Sequence, residues 1–291
     1  MPKKNKTYII SEIGQAHDGS LGTIHSYIDA LKDTGVDAIK FQMHFAKYES
    51  SIYEKFRINF SYQDKTRYDY WKRIEFSEDQ WKEIKQHCDD VGLDFICSTF
   101  SSYSLDLLMK VGFTYLKVPS GELSNFLLLD QISKTNKRVI LSTGLSNHKE
   151  ISEAVDIFGS NKKNLSILHC TSEYPTSPAN LGLENIDILK NKFNLPIGFS
   201  DHSGKIYSSL MAINLGAEII EAHAIFDKRM FGPDTSSSLT IENFKSLVEG
   251  ARFIEKAKRK NSREKLSNKS IKTKKIFGRS LIVNKNLPKG S

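Results

Sequence analysis

The stretch from residue 196 to 234 decides the fold, and it reads PIGFSDHSGKIYSSLMAINLGAEIIEAHAIFDKRMFGPD. Its two short apolar runs, 196–199 and 218–222, are typical of buried parallel strands, and the segment between them has the length and period of one crossover helix. Parallel strands joined by a right-handed crossover lie side by side, so their carboxyl ends meet. His202 and His223 follow those ends, and we therefore expect the two imidazoles to lie near each other.

The histidine pair suggests a metal site. Two neutral imidazoles on neighbouring strand ends suit a divalent transition metal ion. Asp201, Asp227 and Asp234 accompany the pair in the sequence and favour this interpretation. The alternative is that His202 and His223 are ordinary strand-end residues without a ligand.

The composition is that of a globular protein, with 291 residues, 39% hydrophobic and 26% charged. The net charge of +8 is local, because residues 256–275 contain ten Lys or Arg and one Glu. We interpret this run as a solvated linker, with contact to nucleic acid or acidic lipid as the alternative. The three cysteines show no CxxC spacing and are expected to be reduced. No stretch resembles a signal peptide or approaches the ~18 apolar residues of a membrane span, so a cytoplasmic location is expected.

Eight strand and helix segments alternate along the chain with short links. This pattern is typical of the α/β class and of a (β/α)8 TIM barrel. One connection, residues 43–75, is too long for a plain loop and rich in aromatic residues, so we expect a lid or a dimer contact there, unless it is a surface excursion on the barrel rim. Ser77 begins a helix with a capping-box pattern. The predicted strands span residues 8–13, 37–41, 93–97, 115–118, 138–142, 165–169, 196–199 and 218–222.

Polar residues follow all eight predicted strands, at the end of the barrel where active sites lie. Lys40 and Lys117 are both expected there, and two desolvated lysines require an anionic partner, which a phosphate or carboxylate ligand would supply. Glu12 has two compatible interpretations, a carboxylate held by Lys40 or one that binds a ligand hydroxyl or a metal-bound water. The polar strand-end residues are Glu12, Lys40, Gln42, Thr99, Lys117, Ser120, Ser142, Thr143, Ser172, Tyr174, Ser200, His202 and His223.

Six motifs follow one another on these strands. They are SEIG at 11–14, KFQ at 40–42, LKVPSGE at 116–122, HCTSEYPT at 169–176, GFSDHSG at 198–204 and GPD at 232–234. In this order and on nearly every strand, they resemble the N-acetylneuraminate (sialic acid) synthases and their legionaminic and pseudaminic acid relatives. The resemblance covers about residues 7–258. The motifs identify the family with high specificity, but they say little about which substrate the chain would use.

The resemblance implies an enzyme that joins phosphoenolpyruvate (PEP) to an open-chain N-acylated amino sugar, N-acetylmannosamine or a diacetamido-trideoxyhexose. The products would be a nine-carbon 2-keto sugar acid and phosphate. It also implies a divalent metal, Mn²⁺ with Mg²⁺ or Co²⁺ as alternatives, held by His202 and His223. Catalytic roles are implied for Glu12, Lys40 and Lys117. The implied substrate contacts are Gln42, Thr99, Ser120, Ser172, Tyr174, Ser200 and Asp234.

The resemblance implies a homodimer without nucleic-acid or membrane partners. We expect residues 1–258 to form the barrel and residues 259–291 to form the linker and the incomplete start of a small antifreeze-like domain. In the family this domain lends an arginine to the partner subunit's site, and Arg279 lies too early in the resemblance to fill that role. The sequence also departs from the family where many members have His-Lys after GPD. Thr235 and Ser236 stand there instead, which weakens the case for plain N-acetylmannosamine as the substrate.

Three other classes of function stay open. The first is a barrel aldolase or lyase in which Lys117 forms an imine, which borohydride would trap. The second is a non-catalytic carbohydrate-binding paralogue, which would release no phosphate from PEP. The third is a nucleic-acid binder acting through the basic run, whose affinity would fall steeply with salt.

Overall fold

The computed structural model describes residues 6–258 and 266–291. Two compact units divide the chain, Met1–Lys256 and Ala257–Ser291. Residues 259–265, which belong to the predicted linker, lie outside the described residues. No helix among the described residues is long and apolar enough to cross a membrane.

The first unit is a closed barrel of eight parallel strands. Each strand pairs with the next along the chain, and the first also pairs with the eighth. The predicted barrel is therefore confirmed, and every predicted strand overlaps an observed one. A short ninth strand, β9 (Leu239–Thr240), pairs with the end of the eighth and was not predicted. The barrel strands are β1 (Tyr8–Gly14), β2 (Ala38–Met43), β3 (Asp94–Thr99), β4 (Tyr115–Val118), β5 (Val139–Ser142), β6 (Leu165–Cys170), β7 (Ile197–Asp201) and β8 (Ile219–Ile225).

Helices follow the strands in the expected alternation. They are α1 (Leu21–Lys32), α2 (Ala46–Glu49), α3 (Arg67–Ile74), α4 (Glu78–Val91), α5 (Ser102–Val111), α6 (Phe126–Lys134), α7 (His148–Ile157), α8 (Asn185–Phe193), α9 (Ile206–Asn214), α10 (Ile241–Ala257) and α11 (Asn268–Phe277). The predicted capping box is present at α4, where the Ser77 hydroxyl accepts from the Gln80 amide and the Gln80 side chain accepts from the Ser77 amide. This exchange satisfies two backbone donors that helix geometry leaves without a partner.

Side chains inside the barrel form layers, because residues two apart on a strand face the same side. One layer is apolar and made of Ile10, Ala38, Ile96, Tyr115, Ile140, Leu168 and Ile219. Two residues further along each of these seven strands, and two residues after Gly198 of β7, the chain places Glu12, Lys40, Ser98, Lys117, Ser142, Cys170, Ser200 and Glu221. A polar, partly charged layer therefore lies directly above an apolar floor, on the side of the strands' carboxyl ends. The apolar residues on the outer face of the strands pack against the helices.

The insertion, residues 43–75, contains α2 and α3 and lies over the carboxyl ends of the strands. The Arg73 guanidinium anchors α3, since its Nη2 lies 2.8 Å from Asp18 Oδ1 and 2.8 Å from Asp64 Oδ2. Between the two helices, Arg57 Nη2 reaches Asp234 Oδ1 at 2.6 Å. These contacts favour a cover over the barrel mouth rather than a surface excursion on the rim.

The second unit is small. Its described residues 266–291 contain the single helix α11 and no strand, and every one of their side chains is exposed. The antifreeze-like domain start at this end of the chain stays a prediction.

Candidate active site

Two lysines and two carboxylates form the charged part of the polar layer. Lys40 Nζ lies 2.5 Å from Glu12 Oε2 and 3.7 Å from Glu221 Oε1. Lys117 Nζ donates to Glu221 Oε1 at 2.9 Å, and the Ser200 hydroxyl donates to the same oxygen at 3.2 Å. All four charged side chains are at most 5% exposed. The cluster is thus a buried network in which each ammonium group has a carboxylate partner.

Burial and pairing oppose each other in setting the pKa values of this network. Burial alone lowers the pKa of Lys40, but attraction to Glu12 and Glu221 outweighs it and the pKa is raised. Lys117 has only Glu221 within contact and lies near the Lys40 charge, so burial lowers its pKa. For Glu221, the two lysines overcome burial and hold the pKa of the carboxyl well below its usual range.

The expectation that the two lysines require an anionic ligand is wrong, because Glu12 and Glu221 already supply both counter-charges. Glu221 was missed by sequence reasoning. A signal was available: it is a lone carboxylate inside an apolar strand, two residues before His223 and hence on the same face.

Glu12 is also connected to the entrance of the barrel. Gln42 Nε2 donates to Glu12 Oε1 at 2.7 Å, and Gln42 Oε1 lies 3.0 Å from His44 Nε2. The other ring nitrogen of His44, Nδ1, lies 2.7 Å from Glu49 Oε2. This chain of hydrogen bonds fixes the orientation of the Gln42 amide. His44 and Glu49 were not predicted, since both follow the end of β2 and have no strand-like pattern.

The predicted histidine pair is present at the mouth. The rings of His202 and His223 have centroids 5.6 Å apart. His202 Nδ1 donates to the Thr171 carbonyl at 2.9 Å, so its Nε2 keeps a lone pair. Burial, with a smaller effect of His223, lowers the pKa of His202 to about 4. The Tyr174 ring stacks on His202 with centroids 4.2 Å apart.

Of the three aspartates that favoured a metal site, only Asp234 has its carboxylate near a histidine ring of the pair. Asp234 Oδ2 is 4.0 Å from His223 Nδ1. Asp201 instead accepts from the hydroxyls of Ser208 and Ser209 and so fixes the first turns of α9. Asp227 is not buried and pairs with Arg229 at 2.7 Å. Asp201 and Asp227 therefore give the metal interpretation no support in the folded structure.

The residues present fit a divalent ion that takes two protein ligands. Among the described residues, no group of three or more His, Cys, Asp or Glu side chains is arranged to hold a metal. His202 and His223 would thus supply two neutral imidazoles, and oxygen atoms of substrate or water would supply the remaining ligands. Gly14 keeps space open beside them. A Cβ there would lie 3.2 Å from Glu12 Oε1 and 3.4 Å from His223 Nδ1.

Serine hydroxyls from the segments that follow β4 and β6 converge on Gly144, which follows β5. The Ser120 hydroxyl accepts from the Gly144 amide at 3.0 Å and lies 3.1 Å from Cys170 Sγ. A Cβ at Gly144 would lie only 2.4 Å from Ser172 Oγ, so a side chain there would collide. The hydroxyls of Ser120 and Ser172 are suited to hold an anionic group.

The two threonines predicted at the strand ends, Thr99 and Thr143, differ from each other in the hydrogen bonding of their hydroxyls. Thr99 follows Ser98, whose hydroxyl accepts from Lys40 Nζ at 3.4 Å. The Thr99 hydroxyl is buried, and it has no hydrogen-bond partner among the described residues. The Thr143 hydroxyl donates to the Leu168 carbonyl at 3.2 Å, which is a structural role.

Arg57 also lies at the barrel mouth, and sequence reasoning did not predict it. Its guanidinium lies 4.3 Å from the centroid of the Tyr174 ring, in addition to its contact with Asp234. A single arginine in an irregular segment gives no periodic signal, so only the folded chain shows this position.

Comparison with known proteins agrees with the motifs. The NeuB family matches residues 27–263. The chain is 36% identical to the N,N'-diacetyllegionaminic acid synthase of Campylobacter jejuni subsp. jejuni, over 98% of this chain and 87% of that protein. It is 29% identical to the N-acetylneuraminate-9-phosphate synthase of Homo sapiens, over 98% of this chain and 80% of that protein.

Two solved structures share the barrel fold of this chain. The N-acetylneuraminic acid synthetase of Leptospira borgpetersenii, crystallised with citrate, has a TM-score of 0.80 and 29% identity, covering 94% of this chain and 93% of that chain. A truncated 3-deoxy-D-arabino-heptulosonate 7-phosphate synthase of Thermotoga maritima has a TM-score of 0.64 at 18% identity, which shows a shared fold. With its motifs, its barrel and these relatives in agreement, the chain belongs to the NeuB family of sialic-acid-type synthases.

Proposed function

We propose that this protein condenses PEP with an N-acylated amino sugar, N-acetylmannosamine or a diacetamido-trideoxyhexose, to give a nine-carbon 2-keto sugar acid and phosphate. The observation that carries the proposal is the buried charged layer of Glu12, Lys40, Lys117 and Glu221 beneath the histidine pair, inside a NeuB-family barrel. The relatives named as legionaminic and pseudaminic acid synthases support the same reaction class.

Charge balance supports a metal in this reaction. Lys40 and Lys117 are already neutralised by Glu12 and Glu221, so the layer has no net charge to offer to PEP. A divalent cation at His202 and His223 would offset the charge that PEP brings. When bound, such an ion supplies Lewis-acid polarisation of the sugar aldehyde.

The residues of the chain then have distinct roles. Lys117, Ser120 and Ser172 hold the PEP phosphate, with Ser200 and Tyr174 nearby, and Lys40 and Thr99 lie at the PEP carboxylate or reacting end. C3 of PEP attacks the aldehyde carbon, and positive charge develops at C2.

A water then adds at C2, and Glu12 takes its proton. The tetrahedral intermediate breaks its C2–O bond and expels phosphate, leaving the 2-keto group. Lys117 stabilises the charge on the departing phosphate. Gln42 orients the Glu12 carboxylate for this role, since the two side chains are hydrogen-bonded at 2.7 Å.

A phosphate-release assay tests the proposal. Purified protein is incubated with PEP, Mn²⁺ and a panel of N-acylated and non-acylated sugars, and the product is identified by mass spectrometry. We expect phosphate release only with an N-acylated sugar and a product of the mass of the corresponding nine-carbon acid. Failure to release phosphate with every sugar would leave a non-catalytic sugar-binding barrel.

The metal part is tested separately by Mn²⁺ titration calorimetry. His202→Ala and His223→Ala should each weaken Mn²⁺ binding severely, because each removes one of two protein ligands. His148→Ala is the control, since His148 is exposed at the start of α7. Equal Mn²⁺ affinity in all variants would contradict a metal site at the pair.

The imine alternative has one observation in its favour, because burial lowers the pKa of Lys117. The 2.9 Å contact between Lys117 Nζ and Glu221 opposes it, as the carboxylate stabilises the protonated amine. A sugar adduct on Lys117 after borohydride treatment would establish the aldolase reaction instead.

A further inference from the structure

Arg57 joins the insertion to the side of the mouth that carries both histidines. Its Nη2 donates to the Pro233 carbonyl at 2.9 Å and to Asp234 Oδ1 at 2.6 Å. The plane of the guanidinium also lies over the Tyr174 ring, which in turn stacks on His202. Arg57 therefore lies one side chain away from the site of the proposed chemistry.

A cavity of about 200 Å³ lies next to this arginine. Its walls include Phe56, Phe60 and Trp71, all supplied by the insertion, together with Arg57 and Asp234. Asp234 lines the cavity and its Oδ2 lies 4.0 Å from His223 Nδ1, so this one side chain separates the cavity from the histidine pair. A sugar whose aldehyde lies at the histidine pair would thus extend its other end towards the cavity.

The charges around this cavity are balanced. Arg57 is paired with Asp234, and Arg67, the other arginine in its wall, is paired with Glu54 and lies over the Trp71 ring at 4.6 Å. Neither arginine that lines the cavity is therefore an uncompensated cation. A phosphate dianion would have to displace a carboxylate from one of them and would meet the negative charge of Asp234.

A secondary amide matches the same groups. Its N–H can donate to Asp234, and its carbonyl can accept from Arg57, whose two hydrogen bonds to described residues both come from Nη2, so that the N–H groups of Nη1 and Nε remain for a ligand. Its methyl group would contact the aromatic wall formed by Phe56, Phe60 and Trp71.

We propose that Arg57, paired with Asp234, binds an uncharged N-acylamino group on an acceptor carbon away from the aldehyde, such as the 4-acetamido group of a 2,4-diacetamido-2,4,6-trideoxyhexose, so that the enzyme selects an N-acylated, unphosphorylated sugar. The inference rests on the proposed function and narrows its substrate class. Arg57 is the specificity-determining residue of this arrangement, and it comes from the same chain as the rest of the site.

The test compares Arg57→Ala with wild type on matched acceptors: a 2,4-diacetamido-2,4,6-trideoxyhexose, N-acetylmannosamine and N-acetylmannosamine 6-phosphate. We expect Arg57→Ala to raise KM for the diacetamido sugar on the order of ten- to a hundred-fold, as for the loss of a hydrogen bond to a charged group. KM for PEP should change less than about twofold, because Arg57 lies on the sugar side. Wild type should prefer both unphosphorylated sugars to the 6-phosphate.

Arg229→Ala is the matched control, because it removes an exposed arginine that is also paired with an aspartate, Asp227. Calorimetric binding of the sugars separates this inference from the proposed reaction. If wild type binds the diacetamido sugar without releasing phosphate, the proposed reaction fails, and the loss of sugar affinity in Arg57→Ala still supports the inference. Tighter binding of the 6-phosphate than of the unphosphorylated sugars, or equal affinity for the diacetamido sugar in wild type and Arg57→Ala, would overturn it.

Discussion

At the scale of single residues, Glu221 is the carboxylate that allows the buried Lys117 ammonium group to stay charged inside the barrel. Glu221→Gln would leave Lys117 without a carboxylate in contact. Removing one partner of a buried ion pair leaves an uncompensated charge, so we expect the free energy of unfolding to fall by about 3–5 kcal/mol. Urea denaturation measures this, with the exposed Glu218→Gln just before β8 as the control.

A double variant separates charge from packing at the same place. Lys117→Met combined with Glu221→Leu removes both charges and keeps similar volume, so it should recover much of the lost stability. If Glu221→Gln alone unfolds at the same urea concentration as wild type, the ion pair does not stabilise the fold.

His17 gives a residue-scale prediction about pH. Its Nδ1 accepts from the Gly19 amide at 3.0 Å, and its ring packs against Phe76 with centroids 5.1 Å apart. Burial, with smaller effects of His44 and Arg73, lowers the pKa of His17 to about 3. In the unfolded chain the pKa returns to about 6.5, so below that pH the unfolded state binds more protons and the fold is destabilised.

The variant for this test is His17→Asn, whose side-chain oxygen can replace Nδ1 as acceptor but does not titrate. Between pH 7 and pH 5, wild type should lose about 2 kcal/mol more unfolding free energy than His17→Asn. Urea denaturation of both proteins at the two pH values measures the difference. Equal losses would show that His17 does not contribute to acid sensitivity.

At the scale of elements, the two ends of the insertion are joined to each other and its second helix is anchored to the loop after β1. The Ala46 amide of α2 donates to Glu75 at 2.9 Å, and Arg73 of α3 binds the carboxylates of Asp18 and Asp64. Residues 55–63, which exclude Asp64, can therefore be exchanged without removing any of these contacts.

We expect replacement of residues 55–63 by a Gly/Ser loop of the same length to lower kcat/KM for the sugar at least about tenfold, because the site loses Arg57 and part of its aromatic wall. Affinity for PEP and the melting temperature should stay close to wild type. Steady-state kinetics, PEP calorimetry and thermal melting measure these quantities. Wild-type kinetics would mean that the insertion does not cover the substrate, and a changed elution volume would identify it as a dimer contact.

At the scale of the whole molecule, the buried core belongs to the barrel unit. The core runs from Ile9 to Ala251, whereas all described side chains of residues 266–291 are exposed. A chain ending at Lys258 should therefore melt within about 2 °C of the full chain in a calorimetric scan. A fall of more than about 5 °C would show that residues 259–291 stabilise the barrel.

The sequence by itself determined the eight strands and the helices between them, because burial on both faces makes parallel strands apolar and an amphipathic helix repeats every 3.6 residues. It also determined that polar residues follow each strand, and that His202 and His223 are neighbours, since consecutive parallel strands with a right-handed crossover lie side by side.

Only the tertiary structure decided which polar side chains meet. Glu221 pairs with Lys117 across 104 residues, and Arg57 reaches Asp234 across 177. Alternation along a strand gives the face on which a residue lies, but not its partner across the barrel, because that depends on closure and on the register between all eight strands. The position of Arg57 depends further on an irregular segment whose path is set by tertiary anchors such as Arg73, and no local pattern in the sequence encodes such a path.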